Sequence, residues 1–376
     1  MKINFKRIEK AQQLMVKEGM VGIMIMNYDD YRYFFGDIRT QPRAIIPASG
    51  EPILITFKAE EPELKETLGN VPVKIFSHVG EQIMDVRTSF KGIIQNPDIQ
   101  AIIQSNTKPR VGMQMFFHTP AFLVDLFRQV NPKLELVSSA PVMDELRMVK
   151  EPDEIKLMNK AQVIAGKGMD VVGEILRPGI TGHELATEAL YVMMKEGAEG
   201  TSTPIYVNAG KRSCWIHGKI DKYPIQQGDL VVVDLTPQFE GYCANLTRTF
   251  TIGNGDDQTN RLIETYIEMK EETRLMLKPE VTPRELDSLG KKICQDRGFG
   301  EYHIDGISHG IGLRFEETPA STIVKKHRSV QLRENMTMTI GHTILAIPGV
   351  GGARFEDVYQ VTPDGGRILH PYPLNG

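Results

Sequence analysis

The chain has 376 residues, 41% of them hydrophobic and 24% charged, with a formal net charge of −4 and no long run of like charge. That length implies two domains with a substantial core, and the interleaved charge argues against nucleic acid or an anionic membrane as the main partner, leaving a small molecule or a dipeptide. The N-terminal MKINFKRIEKAQQLMVKEG lacks a signal-type apolar run, and no stretch of about 18 apolar residues occurs. Cys214, Cys243 and Cys294 are odd in number and widely spaced, so the expectation is a cytoplasmic protein with reduced thiols.

Residues 7–18 carry a helical pattern, after which short apolar runs (VGIMIMN, RAIIPA, EPILITF, VKIFS, AIIQS) alternate with further helical segments in the rhythm of an α/β domain. The stretch APVMDELRMVKEPDEI reads as an interdomain junction, with Pro152 opening a helix and Asp153 and Glu154 in its first turn, where acidic side chains suit the helix dipole. This gives domains at 1–147 and 148–376. Past the junction an internal repeat is visible: ILRPGITGHELATEALYVMMKEG from Ile175 and MLKPEVTPRELDSLGKKICQDRG from Met276, 101 residues apart. Thr181 with Glu184 and Thr282 with Glu285 form capping boxes, and Gly197 and Gly298 stop the helices. Each half then supplies strands, QQGDLVVVDL and GYCANLTRTFTI from the first, NMTMTIGHTILAI and GARFEDVYQVT from the second, with a hairpin over residues 237–241. Two matched halves predict a pseudo-twofold domain with a site where they meet.

Several residues carry chemistry by their placement. Asp234 ends the apolar strand VVVD, where a carboxylate needs a cation or hydrogen bonds. Strand alternation puts Asn245, Thr247 and Thr249 on one face. His309 sits between small residues in SHGIGLRF, where Gly310 and Gly312 let the backbone approach a ligand. Glu316 follows, then Glu356 two residues after Arg354, which is placed to orient it. His217 offers the proton shuttle of neutral pH. Alternation turns His342 to the face opposite its neighbour Gly341.

The segments VVVDLTPQFEGYCANLTRTF, SHGIGLRFEETP and MTMTIGHTILAIPGVGGARFEDVYQVT resemble, in order and spacing, the pita-bread family of creatinase, Xaa-Pro aminopeptidase, prolidase and methionine aminopeptidase. The resemblance implies an α+β pita-bread C-terminal domain after a smaller creatinase-like α/β domain, and a homodimer. Its metal-dependent members use Asp, Asp, His, Glu and Glu, which fall here on Asp234, Asn245, His309, Gly341 and Glu356. The His of the family's HExP motif falls on Glu316. A pair of divalent cations needs roughly four carboxylates for near neutrality, and two of the inherited ones are gone. The expectation is therefore a degenerate metal site holding no metal or one divalent ion, the latter on Asp234, His309 and Glu356.

In creatinase the residue matching His217 is the general acid and base without metal. The resemblance thus implies a hydrolase cleaving a C–N bond in a small, non-standard substrate, with His217, His309, Glu316 and Glu356 catalytic and Asp234, Asn245, Arg354 and His342 binding substrate. Glu316 can lend a carboxylate to a metal or pair with a cationic group of the substrate. A mononuclear Xaa-Pro peptidase, a lyase on the same fold, and a non-catalytic binding protein are the alternatives.

Overall fold

The computed structural model describes residues 3–39, 41–69, 71–103, 107–115 and 119–374. The chain divides into two compact units, Met1–Leu146 and Arg147–Gly376. The first is built on a six-stranded sheet of order β4-β3-β2-β1-β5-β6, comprising β1 (Met20–Ile25), β2 (Ala44–Pro47), β3 (Ile53–Phe57), β4 (Val73–Phe76), β5 (Arg110–Met113) and β6 (Glu135–Ser138). The β1–β5, β5–β6 and β3–β4 pairs are parallel and the β1–β2 and β2–β3 pairs antiparallel. All six residues of β1 are buried, as a central strand covered on both faces requires. The apolar run AIIQS is no strand: residues 101–103 form a turn and bend after the helix Pro97–Gln100, and Gln104 and Ser105 lie outside the described residues. The fifth strand is instead the short Arg110–Met113, whose single Val111 between Arg110 and Gly112 gave little periodicity to read.

The second unit repeats one motif. Helices Pro152–Ile175 and Gly182–Lys195 accompany a sheet of β8 (Tyr206–Ala209), β9 (Leu230–Leu235) and β12 (Leu246–Thr251), while β7 (Gly200–Thr201), β10 (Pro237–Phe239) and β11 (Tyr242–Cys243) form a small side sheet. Helices Asp257–Met276 and Pro283–Asp296 then accompany β13 (Thr337–Ile340), β16 (Asp357–Thr362) and β17 (Gly365–Ile368), with β14 (Leu345–Ile347) and β15 (Gly351–Ala353) paired beside them. Each half has its own core, around Val231, Val233, Leu185 and Met169 in the first and Tyr266, Leu286, Met338 and Phe355 in the second.

Local chemistry explains the repeat. Thr181 and Thr282 each receive the backbone N–H of the Glu three residues on, and that Glu returns to the cap N–H, so both boxes satisfy helix-end donors reciprocally. Gly197 and Gly298 follow the helices at φ +101° and +83°. The hairpin between β10 and β11 turns through Glu240 and Gly241, both at positive φ, as a two-residue turn matching strand twist demands. The two halves are stitched where Thr247 N donates to Glu356 O at 3.0 Å and Glu356 N to Thr247 O at 3.1 Å. That bridge brings the end of β9 and the start of β16 to one place.

Candidate functional site

Asp234 stands on the middle strand of its sheet, opposite Thr247 on β12 and Tyr206 on β8. Its carboxylate is buried and, among the described residues, accepts no hydrogen bond and has Arg354 as its one cationic neighbour at ion-pair distance, with Nη1 3.3 Å from Oδ2. Burial outweighs that attraction and, with Glu356 nearby, pushes Asp234 up to about 6. The adjoining Asn245 is fully buried with both amide atoms unpartnered.

Across the bridge, Arg354 is pinned at its backbone, where Thr249 Oγ1 accepts from its N–H and donates to its carbonyl, both at 2.8 Å. Its Nη2 donates to Glu356 Oε2 at 2.5 Å and lies 3.4 Å from His342 Nδ1. Burial by itself would raise Glu356, yet the guanidinium beside it holds the carboxyl far below the usual carboxylate range. Burial would likewise lower Arg354, and Glu356 with Asp234 keeps it firmly charged. Asp357, the next residue, faces elsewhere: it is buried between Arg248, at 2.9 Å, and Lys270.

His309 is wholly buried. Its Nδ1–H donates to Gly310 O at 3.0 Å, and Nε2 has no hydrogen-bond partner among the described residues. Nε2 faces Glu356 Oε1, also unpartnered, at 3.7 Å.

His342 departs from the strand reading. β13 ends at Ile340, and Gly341 turns at φ +110°, so alternation no longer governs the next side chain. Tyr266 Oη lies 2.6 Å from Gly341 O and 2.5 Å from Thr343 O, holding the turn on either side of His342. The ring thus comes into the site, edge-on to His309 at 4.7 Å between centroids, with Nδ1 3.5 Å from Glu356 Oε1 and Nε2 3.9 Å from Glu316 Oε1. Burial holds its pKa below the ordinary value. Position 341 itself admits no side chain, because a Cβ there would lie 2.0 Å from Phe355 O. The imidazole expected at 316 and the carboxylate expected at 341 are met instead by Glu316 and His342, facing each other.

Glu316 is half-buried, its Oε2 accepting from Thr322 Oγ1. Its neighbour Glu317 points away from the cluster into a buried ion triad with Arg147 at 2.5 Å and Lys150 at 2.8 Å. His217 is exposed at the rim, its ring 6.1 Å from that of His342 and 5.5 Å from that of Tyr206. Partial burial, then Arg354, lower its pKa, so it is neutral at neutral pH. Trp215 stacks outward on Arg212, at 4.7 Å.

The structure therefore gathers His309, Glu316, His342, Arg354 and Glu356 on one floor, with Asp234 against Arg354 and His217 at the rim. Tyr206, Thr322 and Tyr266 were not read from the sequence. Tyr206 had a faint signal in its strand beside the His217 loop, and the other two had none.

A pseudo-twofold α+β unit of this kind, its site at the junction of the halves, is the pita-bread architecture, here in one chain with a creatinase-like unit. Residues 156–363 match metallopeptidase family M24, and residues 7–149 match the creatinase/prolidase N-terminal domain. The chain belongs to family M24 and is a hydrolase acting on C–N bonds. It is 28% identical to an Xaa-Pro dipeptidase of Pyrococcus horikoshii over 98% of both chains, and 31% identical to an Xaa-Pro dipeptidase of Pyrococcus furiosus over 66% of this chain and 70% of that one. The crystal structure of the prolidase from Pyrococcus horikoshii superposes with a TM-score of 0.85 at 26% identity, covering 98% and 99% of the two chains. Among the described residues, no helix is long and apolar enough to cross a membrane.

Proposed function

We propose that this site hydrolyses a C–N bond in a small, non-standard amide that carries a cationic group, with His217 as general acid and base and with a reduced metal load. The observation that carries this reading is the charge of the floor. Asp234, Glu316 and Glu356 set against Arg354 leave a balance of −2 when the imidazoles are neutral. That is too little anionic charge for two divalent cations, and a backbone closed to any side chain at 341 leaves no room for the carboxylate the family carries there. The surviving negative balance suits a substrate ammonium or a single ion.

In this reading Asp234, Asn245 and Arg354 hold the substrate, the unpaired amide of Asn245 supplying a donor and an acceptor. His217, neutral and open to solvent, takes a proton from water as its oxygen bonds to the carbonyl carbon. It then gives that proton to the nitrogen as the C–N bond breaks. The homodimer implied by the resemblance belongs to the same proposal, and light scattering tests it.

A second reading, an Xaa-Pro dipeptidase with a mononuclear site on Asp234, His309 and Glu356, is favoured by the names of the relatives. Assays of chelator-treated and metal-reconstituted protein against Xaa-Pro dipeptides and a panel of N-acylated diamines, cyclic amidines and guanidino acids separate the two. Turnover of a cationic amide that survives chelation and is lost in His217→Asn supports the first reading. Turnover of Xaa-Pro dipeptides alone, indifferent to His217→Asn, replaces it with the second.

A further inference from the structure

We propose that the protein binds one divalent ion of the zinc class on His309, Glu316 and His342, a set different from the one the family resemblance assigns. The inference deepens the reading above and rests on it only in taking this cluster as the reactive centre. One ligand atom from each of the three residues lies within 4.8 Å of the other two. Donors around a tetrahedral ion with bonds of about 2.1 Å stand about 3.4 Å apart, so closure requires each to move by less than about 1 Å.

The second observation is a pair of buried polar atoms without hydrogen-bond partners. His309 Nε2 is buried and without a hydrogen-bond partner among the described residues, while Nδ1 is committed to Gly310 O, and it faces Glu356 Oε1 across 3.7 Å. Two buried polar atoms this close with no hydrogen-bond partner are costly, and a cation held near both would satisfy them. Arg354 does not supply it, since its Nη2 is engaged on the other oxygen of Glu356. Glu316 Oε1 and His342 Nε2 face the same space at 3.9 Å, and Thr322 fixes the far oxygen of Glu316.

Donor type and charge then select the ion. Two imidazoles with one carboxylate suit zinc, cobalt or iron over magnesium or calcium, and three protein ligands leave a coordination position open. A single divalent ion also brings the floor's balance of −2 to neutrality, whereas two leave it positive.

The test is Zn2+ binding to chelator-stripped full-length protein, followed by calorimetry and elemental mass spectrometry without substrate. One ion per chain is expected, with affinity reduced at least about tenfold in His342→Ala and in Glu316→Gln, and stoichiometry retained in His217→Asn. No ion, two ions per chain, or one ion held undiminished by both ligand variants overturns the proposal. Where a variant does not fold, zinc-edge X-ray absorption on the wild-type protein decides: a shell with two imidazoles supports the site, and a shell with one assigns the ion to the inherited set. Binding is read without turnover, so a protein that takes up no ion yet hydrolyses its substrate would sink this inference and leave the hydrolase reading standing, and one bound ion with no turnover would do the reverse.

Discussion

Replacing Glu317 by Gln tests the electrostatic reasoning most sharply. Its carboxylate is buried between Arg147 and Lys150, and although burial opposes the charge, those two cations hold its pKa at about 2 against an ordinary 4.5. Ionisation at neutral pH is therefore favoured in the folded state by about 3 kcal/mol. Because the folded pKa is depressed, this stability is fully present above about pH 4.5 and is lost as pH falls towards 2. Glu317→Gln mimics the protonated form, so the variant should be less stable by about 3 kcal/mol at pH 7, and the gap should shrink to about 1 to 1.5 kcal/mol at pH 3. Urea unfolding followed by Trp215 reads this directly, since the single tryptophan belongs to the unit Arg147–Gly376. A gap below about 1 kcal/mol at pH 7, or one that stays constant between pH 7 and pH 3, would refute the argument. The result bears on function because Glu317 pairs with Gly310 in the same loop that presents His309 and Glu316.

Gly341→Ala should lower the melting temperature and cost about 2 kcal/mol or more, through its φ of +110° and the Cβ clash with Phe355 O; an unchanged melt would mean the backbone there is free to move. Asn245→Ala removes two unpaired buried polar atoms, so stability should change by no more than about 1 kcal/mol in either direction while substrate binding weakens; a large loss of stability would show that the amide serves the fold. If His217 is the general base, kcat/KM should fall on an acid limb whose midpoint lies below 6.5, because burial and Arg354 both disfavour its charged form; a midpoint above that value, or a limb that persists in His217→Asn, assigns the proton transfer elsewhere.

What the sequence could determine was whatever acts over a few residues. The capping boxes at Thr181 and Thr282, the glycine stops and the Glu240–Gly241 turn are closed by neighbours three or fewer positions apart, so their chemistry is legible in order. The pairing of Arg354 with Glu356 is of the same kind. The expectation for His342 failed because strand alternation holds only while the strand lasts, and where β13 ends is set by Tyr266 gripping the turn from a helix 75 residues away in sequence. Nothing in residue order distinguishes Glu317 from its neighbour Glu316, and only its meeting with Arg147 and Lys150, some 170 residues earlier, separates a buried structural anion from one that faces the site. The tertiary structure alone decided which carboxylates, imidazoles and guanidinium share one buried space, because most of those groups stand far apart in sequence and meet only where the two halves of the unit join.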